Sequence, residues 1–193
     1  MTSIYFVRHA QPDHGWEDDK TRPLSEEGLE DSKKVTKFFK PFKIDCYISS
    51  PYKRSIDTIR ESAVEKGLPI YEDERLRERK SGVGGNNTEM FHKRWKDLDF
   101  CEAGGESLSM VQKRNIEVIL EVLNTHKDEN IVIGTHGTAL STILNYFTPA
   151  YNCNDFLRII DFMPYIIRLD FHGLDLVGKE ELLIIKKEFK GKK

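Results

Sequence analysis

Two histidines, His9 and His136, each close a short apolar run, Ile4-Tyr5-Phe6-Val7 before the first and Ile131-Val132-Ile133 before the second. Each is followed by a small residue, Ala10 or Gly137. Arg8 arrives with the first histidine, and Arg54 follows a third apolar run, Ile44 to Ile48, through Ser49-Ser50-Pro51. Two arginines and two histidines suit one kind of ligand. The planar guanidinium fork matches the non-bridging oxygens of a phosphoryl group. A neutral imidazole nitrogen can displace an alkoxide from phosphorus and split hydrolysis into two easier steps through a phosphohistidine. His136 becomes a third cationic donor where a dianion raises its pKa. The departing oxygen needs a proton. Glu78, in Leu76-Arg77-Glu78, is the expected donor, with Glu74 as the second choice. With arginines carrying the electrostatic stabilisation, neither metal nor cofactor is expected.

These side chains need a scaffold that delivers them to one place. Strand-like and helix-like segments alternate along the chain, the pattern of an α/β sheet, in which ligands bind beyond the carboxyl ends of the strands. Strands are expected at Ser3–Val7, Ile44–Ile48, Pro69–Tyr71 and Ile131–Gly134. Helices are expected from Ser25 to about Lys40, from Pro51, over Thr88–Leu98 and Ser107–His126, and from Thr138. Ser25 with Glu26-Glu27 behind it is an N-terminal signature. A closing hairpin is expected from Tyr165–Phe171 and Leu182–Phe189. The glycine-rich stretch 79–106 is least tied to the sheet and is expected to cover the site as a small cap. Trp95, Phe91 and Phe100 are expected to hold it down. Arg77, Arg79, Lys93 and Arg94 are expected either to meet a second anionic group or to be solvated.

At 193 residues the chain is expected to form one domain, 1–193, with a sizeable core. A net charge of −2 gives no reason to expect nucleic acid or an acidic membrane as partner, and the basic end Lys186–Lys193 reads as a solvated tail. The N-terminus lacks the marks of a signal peptide, and no apolar run approaches the roughly 20 residues that span a bilayer. Cys46, Cys101 and Cys153 are odd in number, widely spaced and without a CxxC pair, which points to free thiols and a cytoplasmic setting. His14 lies five residues after His9, yet no third ligand at metal-binding spacing follows.

Taken together, the motifs resemble those of the histidine phosphatase superfamily, the phosphoglycerate-mutase-like proteins. The family's Arg-His-Gly signature stands here as Arg8-His9-Ala10. Its Ser-Ser-Pro-x-x-Arg-x-x-x-Thr pattern is intact from Ser49 through Arg54 to Thr58. Leu76-Arg77-Glu78, Gly105-Glu106-Ser107, Thr135-His136-Gly137 and the Pro23–Gly28 stretch follow the family order. The resemblance implies a three-layer α/β/α sandwich around a mostly parallel sheet. It also implies His9 as phosphoryl acceptor, Arg8, Arg54 and His136 as phosphate ligands, Gly137 beside them, and Glu78 as proton donor. Two departures stand out. Ala10 replaces a glycine, which would cost on the order of 1 kcal/mol if that position needs a positive φ. An asparagine expected shortly afterwards is missing, so Gln11 is the candidate to replace its contact. The resemblance favours a phosphomonoester hydrolase acting on a small phosphorylated substrate. The alternatives are a cofactor-dependent phosphoglycerate mutase and a catalytically silent phosphate-binding scaffold. Ser81 stands where the mutases carry a tyrosine, which argues for hydrolysis. Oligomeric state and natural substrate are not legible.

Overall fold

In the computed structural model, residues 1–188 are described. Six strands form one sheet: β1 (Thr2–Arg8), β2 (Cys46–Ser49), β3 (Ile70–Glu72), β4 (Asn130–Thr135), β5 (Phe162–His172) and β6 (Asp175–Lys186), in the order β3-β2-β4-β1-β5-β6. β3, β2, β4 and β1 run parallel, β5 is antiparallel to β1, and β6 is antiparallel to β5. Among the described residues six α-helices accompany them, α1 (Glu26–Phe39), α2 (Lys53–Lys66), α3 (Thr88–Lys96), α4 (Leu108–Thr125), α5 (Gly137–Phe147) and α6 (Cys153–Ile159), with a single 3-10 turn at Glu74–Leu76.

The near-continuous apolar runs of β1 and β4 are those of strands covered on both faces. Successive side chains alternate between the faces. Ile4, Phe6, Ile131 and Ile133 pack into one cluster with Ile119 of α4, Leu140 and Ile143 of α5, and Phe156 of α6. Tyr5, Val7 and Val132 pack into another with Val35 and Phe39 of α1 and Ile59 of α2. The result is the three-layer α/β/α arrangement.

Local chemistry ends the elements where they matter. Ser25 caps α1, its Oγ accepting from the Gly28 N–H at 3.0 Å. Gly28 itself lies against the loop after His9, where a Cβ would come within 2.1 Å of the Gln11 carbonyl oxygen. The Ser25 N–H donates to that same carbonyl at 3.0 Å. The start of α1 therefore straps down the segment that leaves β1.

Several expectations are corrected. α2 begins at Lys53 with Tyr52 at the N-cap position, so Pro51 precedes the helix instead of opening it. α3 stops at Lys96, two residues early. β6 starts at Asp175, because Gly173, at φ +61°, turns the hairpin directly after His172. Register shifts along β5–β6 break the alternation that marks such a strand. α6 was not anticipated: it is only 7 residues long, although Asn152 and Asp155 form a capping box at its start. Lys187 is not solvated; its ammonium lies 2.7 Å from the buried Asp31 carboxylate and also pairs with Glu27. Phe189 and the rest of the basic end, Lys190–Lys193, lie outside the described residues.

Candidate active site

Parallel pairing sets the two histidines side by side. Arg8 is in register with Thr135, so His9 and His136 leave adjacent strands at the same edge, with ring centroids 5.2 Å apart. His9 Nδ1 lies 2.7 Å from the Ala10 carbonyl oxygen. A carbonyl can only accept, so Nδ1 carries the ring proton and Nε2 keeps its lone pair. The Arg54 Nε–H donates to that Nε2 at 3.3 Å.

The Ser49–Thr58 motif is a set of fastenings around this contact. Ser50 Oγ meets His136 Nε2 at 2.7 Å. Ser49 and Ser55 share a hydrogen bond at 3.1 Å. Thr58 donates to the Arg54 carbonyl at 2.7 Å and accepts from the Ala10 N–H at 2.9 Å. One threonine thus joins the turn after His9 to the helix turn that carries Arg54. The Arg54 guanidinium is buried, donates from Nη1 to the Asp19 carbonyl oxygen at 2.6 Å, and lies 5.0 Å from the centre of the Tyr52 ring. The Asp19 carboxylate lies 3.2 Å from the same Nη1.

Arg8 is held differently. Its Nη1 and Nη2 donate to the carbonyl oxygens of Ile159 and Ile160, at 2.6 and 2.9 Å, where α6 ends. Its Nε is buried with no hydrogen-bond partner among the described residues, and so is His136 Nδ1. Gly137 makes room for this guanidinium: a Cβ there would lie 3.0–3.2 Å from three of its atoms. Glu78 faces the start of α5. Its Oε2 accepts from the Thr138 N–H at 3.0 Å, and its Oε1 accepts from the N–H groups of Ala139 at 3.1 Å and Arg79 at 2.8 Å. Negative charge is favoured at such a helix N-terminus.

Burial dominates the electrostatics. Desolvation, then the nearby charges of Arg54 and Arg8, hold His9 well below the usual histidine range. Desolvation, then Arg54 and His9, do the same to His136. Both rings are therefore neutral at pH 7, so the protein by itself does not make His136 cationic. Burial also brings Arg8 down to about 10, which leaves it charged.

Other candidate residues fall elsewhere. Gln11 is turned to α1, its Oε1 accepting from Ser25 Oγ at 2.8 Å. Ala10 is buried but is not at positive φ; among the described non-glycine residues only Asp128 is, so the alanine carries no strain there. Arg79 and Arg94 are neither solvated nor free for a second anion. Both are buried on Glu102, Arg79 Nη1 at 3.2 Å and Arg94 Nε at 2.8 Å. Arg77 pairs with Glu106 at 2.7 Å and Lys93 with Glu89 at 2.8 Å. Phe91 and Trp95 lie against Phe156 at 5.1 and 5.9 Å, fixing α3 on α6, as expected of aromatics that hold this segment down. Glu74 pairs with Lys20 at 2.8 Å, away from the histidines' own contacts. Among the described residues no group of three His, Cys, Asp or Glu is placed to hold a metal ion, and no helix is long and apolar enough to cross a membrane.

Sequence reasoning missed three contributors. Ser50 was legible as part of a motif but not as the partner of His136. The Asp19 contact spans 35 positions, and the Ile159 carbonyl reaches Arg8 across 151, with no local signal for either.

Comparison with known proteins agrees with this geometry. A sequence search of curated proteins gives no match. Among solved structures, YhfR of Bacillus stearothermophilus superposes at a TM-score of 0.76 with 21% identity, over 92% of this chain and 95% of its own. The phosphoserine phosphatase of Entamoeba histolytica, solved with 3-phosphoglyceric acid, gives 0.77 with 17% identity, over 97% and 98%. The mycobacterial glucosyl-3-phosphoglycerate phosphatase gives 0.72 with 18% identity, over 93% and 96%. At these identities the superpositions speak for the fold alone. The profile of the histidine phosphatase superfamily (branch 1) matches residues 4–171, and on that match the chain belongs to this superfamily and is an enzyme of the phosphatase kind.

Proposed function

We propose that the chain hydrolyses phosphate monoesters through a phosphohistidine at His9, without metal or cofactor. The observation that carries this reading is the polarity of the His9 ring. Its proton is fixed on Nδ1 by the Ala10 carbonyl, and among the described residues its lone pair on Nε2 is met by the Arg54 Nε–H alone, at 3.3 Å. A phosphoryl oxygen is a stronger acceptor for that donor, so substrate binding draws Arg54 away from the lone pair and frees it for attack. The buried N–H of Arg8, together with His136 and Arg54, then surrounds the equatorial oxygens.

In the first step His9 Nε2 forms the N–P bond while the bond from phosphorus to the ester oxygen breaks. Glu78, which the bound dianion beside it favours in the protonated form, gives its proton to that oxygen. Of the two carboxyl oxygens, Oε1 already accepts two N–H groups while Oε2 accepts one, so Oε2 has the lone pair that can hold the proton. In the second step water attacks phosphorus and Glu78 takes its proton. The N–P bond breaks and inorganic phosphate leaves.

A mutase needs further basic groups to retain a bisphosphorylated intermediate. The ion pairs that tie Arg77, Arg79, Lys93 and Arg94 to Glu106, Glu102 and Glu89 argue for hydrolysis of a small ester that carries one phosphoryl group. On this reading the 79–106 segment is the cap that would select among such esters. The three cysteines, all free, fit a reducing, cytoplasmic setting.

The test is turnover of p-nitrophenyl phosphate and of 3-phosphoglycerate with 2,3-bisphosphoglycerate. Free phosphate released by the parent and not by a His9→Ala variant supports the reading. Formation of 2-phosphoglycerate would replace it with the mutase, and no turnover would replace it with the scaffold.

A further inference from the structure

His136 presents a difficulty for the reading above, on which this inference rests. A ring that is fully buried and neutral donates one N–H only, and the nitrogen facing away from Ser50 is the one without a partner. Whether His136 can serve an anion therefore depends on which nitrogen holds the proton.

The hydroxyl of Ser50 decides it. Ser50 is fully buried, and among the described residues its Oγ has two polar neighbours. One is the Tyr52 N–H, which donates to it at 3.2 Å. The other is His136 Nε2 at 2.7 Å. A hydroxyl has one proton to give, and a buried donor left unmade costs about 1–3 kcal/mol. With the Tyr52 side taken by an incoming N–H, the only acceptor for the Ser50 proton is His136 Nε2. An Nε2–H on His136 would make Ser50 Oγ accept twice, from Tyr52 and from the ring, and leave its own buried proton without an acceptor.

We infer that Ser50 is a positioning residue which, by donating to Nε2, holds His136 as the Nδ1–H tautomer and so turns a neutral ring into a hydrogen-bond donor for the phosphoryl group. His9 and His136 then carry their protons on the same ring position for opposite purposes. In His9 the Nδ1 proton is consumed by a carbonyl so that Nε2 is left bare for attack. In His136 the Nε2 lone pair is consumed by Ser50 so that Nδ1–H is left to donate. Together with the buried Arg8 Nε–H, it makes a pair of donors at the site that no acceptor among the described residues satisfies. The ring needs no positive charge to do this, and binding at this position should not weaken where a histidine would lose its proton.

The experiment is the tautomer itself, read from imidazole nitrogen shifts by long-range proton–nitrogen correlation on the parent protein without substrate at pH 7.5. Nδ1 protonated and Nε2 bare on His136 is expected. In Ser50→Ala the ring should move toward the Nε2–H form that free histidine favours. Inhibition by inorganic phosphate should then weaken, and kcat/KM for p-nitrophenyl phosphate should fall by roughly 10- to 100-fold, less than for outright loss of an oxyanion donor. Ser50→Thr, which keeps the hydroxyl, should restore both the tautomer and the phosphate affinity. An Nε2–H tautomer in the parent overturns the inference, whatever the variants do. An unchanged tautomer in folded Ser50→Ala overturns it as well. Because the spectrum is taken without substrate, a parent that turns over but shows Nε2–H defeats only this inference, while a parent that shows Nδ1–H but never turns over defeats only the hydrolase.

Discussion

Buried arginines occur in two parts of this molecule, and they are treated in opposite ways. In the 79–106 segment, Arg79 and Arg94 share the carboxylate of Glu102, with Asn86 accepting from both. At the sheet edge, Arg8 has two carbonyl oxygens and, among the described residues, no carboxylate within ion-pair distance. Arg54 has a carbonyl, the nitrogen of His9 and the half-exposed carboxylate of Asp19. Burying a charge without a full counter-charge is unfavourable, and a fold tolerates it where a ligand supplies what is missing. The first pair of arginines is complete in the folded chain. The second pair lacks a full counter-charge among the described residues, as the proposed phosphate ligands should, and that difference sets the two regions apart more sharply than burial does.

Replacing one arginine from the incomplete pair gives the largest expected effect. Arg54→Ala should lower kcat/KM for p-nitrophenyl phosphate by about 10³-fold or more, as expected for a guanidinium facing a transferring phosphoryl group. Its thermal midpoint should shift little, and a midpoint loss as large as the activity loss would erase the contrast. The complement is Glu102→Ala, which strands two guanidinium groups in the interior. It should cost about 3–5 kcal/mol, seen as a lower unfolding midpoint, while the surviving folded enzyme keeps activity within about tenfold of the parent. A neutral outcome in the melt would mean that the segment relaxes and hydrates its arginines.

Acid should act on the site and spare the ion-paired segment until lower pH. His9 and His136 are held neutral in the fold, whereas in the unfolded chain they take up protons near pH 6.5. The unfolded state binds more protons below that pH, so this contribution to stability is complete above about 6.5 and is lost as pH falls. The thermal midpoint should drop between pH 7 and pH 5, by less in His9→Asn than in the parent. An identical drop in both would show that His9 is not held neutral. The smallest effect belongs to Ala10→Gly. With Ala10 outside the positive-φ region, restoring the family's glycine should cost about 0.4–1 kcal/mol through added freedom of the unfolded chain and leave kcat unchanged. Faster turnover in that variant would mean that the methyl obstructs the site.

Much of the sheet could be read in advance because β1, β2 and β4 are buried on both faces and so are written as short apolar runs. The chemistry at their ends was legible for the same reason: a histidine directly after such a run lands at the carboxyl edge wherever the strand is. α6 and β6 were harder. A helix of 7 residues has too few turns to display a period, and register shifts along the hairpin remove the alternation that identifies a strand. The arginines of the 79–106 segment were misjudged because a charged side chain looks alike in sequence whether it meets water, substrate or a buried Glu102.

The order of elements, the residues at the edge of the sheet and the family they belong to were settled by the sequence, since each depends on a handful of neighbouring positions. What the tertiary structure alone decided is which nitrogen of each imidazole is bare, which arginines are already neutralised, and how Gln11 and Lys187 are spent. Those outcomes rest on hydrogen bonds between residues as many as 160 positions apart, and a one-dimensional pattern carries no record of which distant groups come within 3 Å of one another.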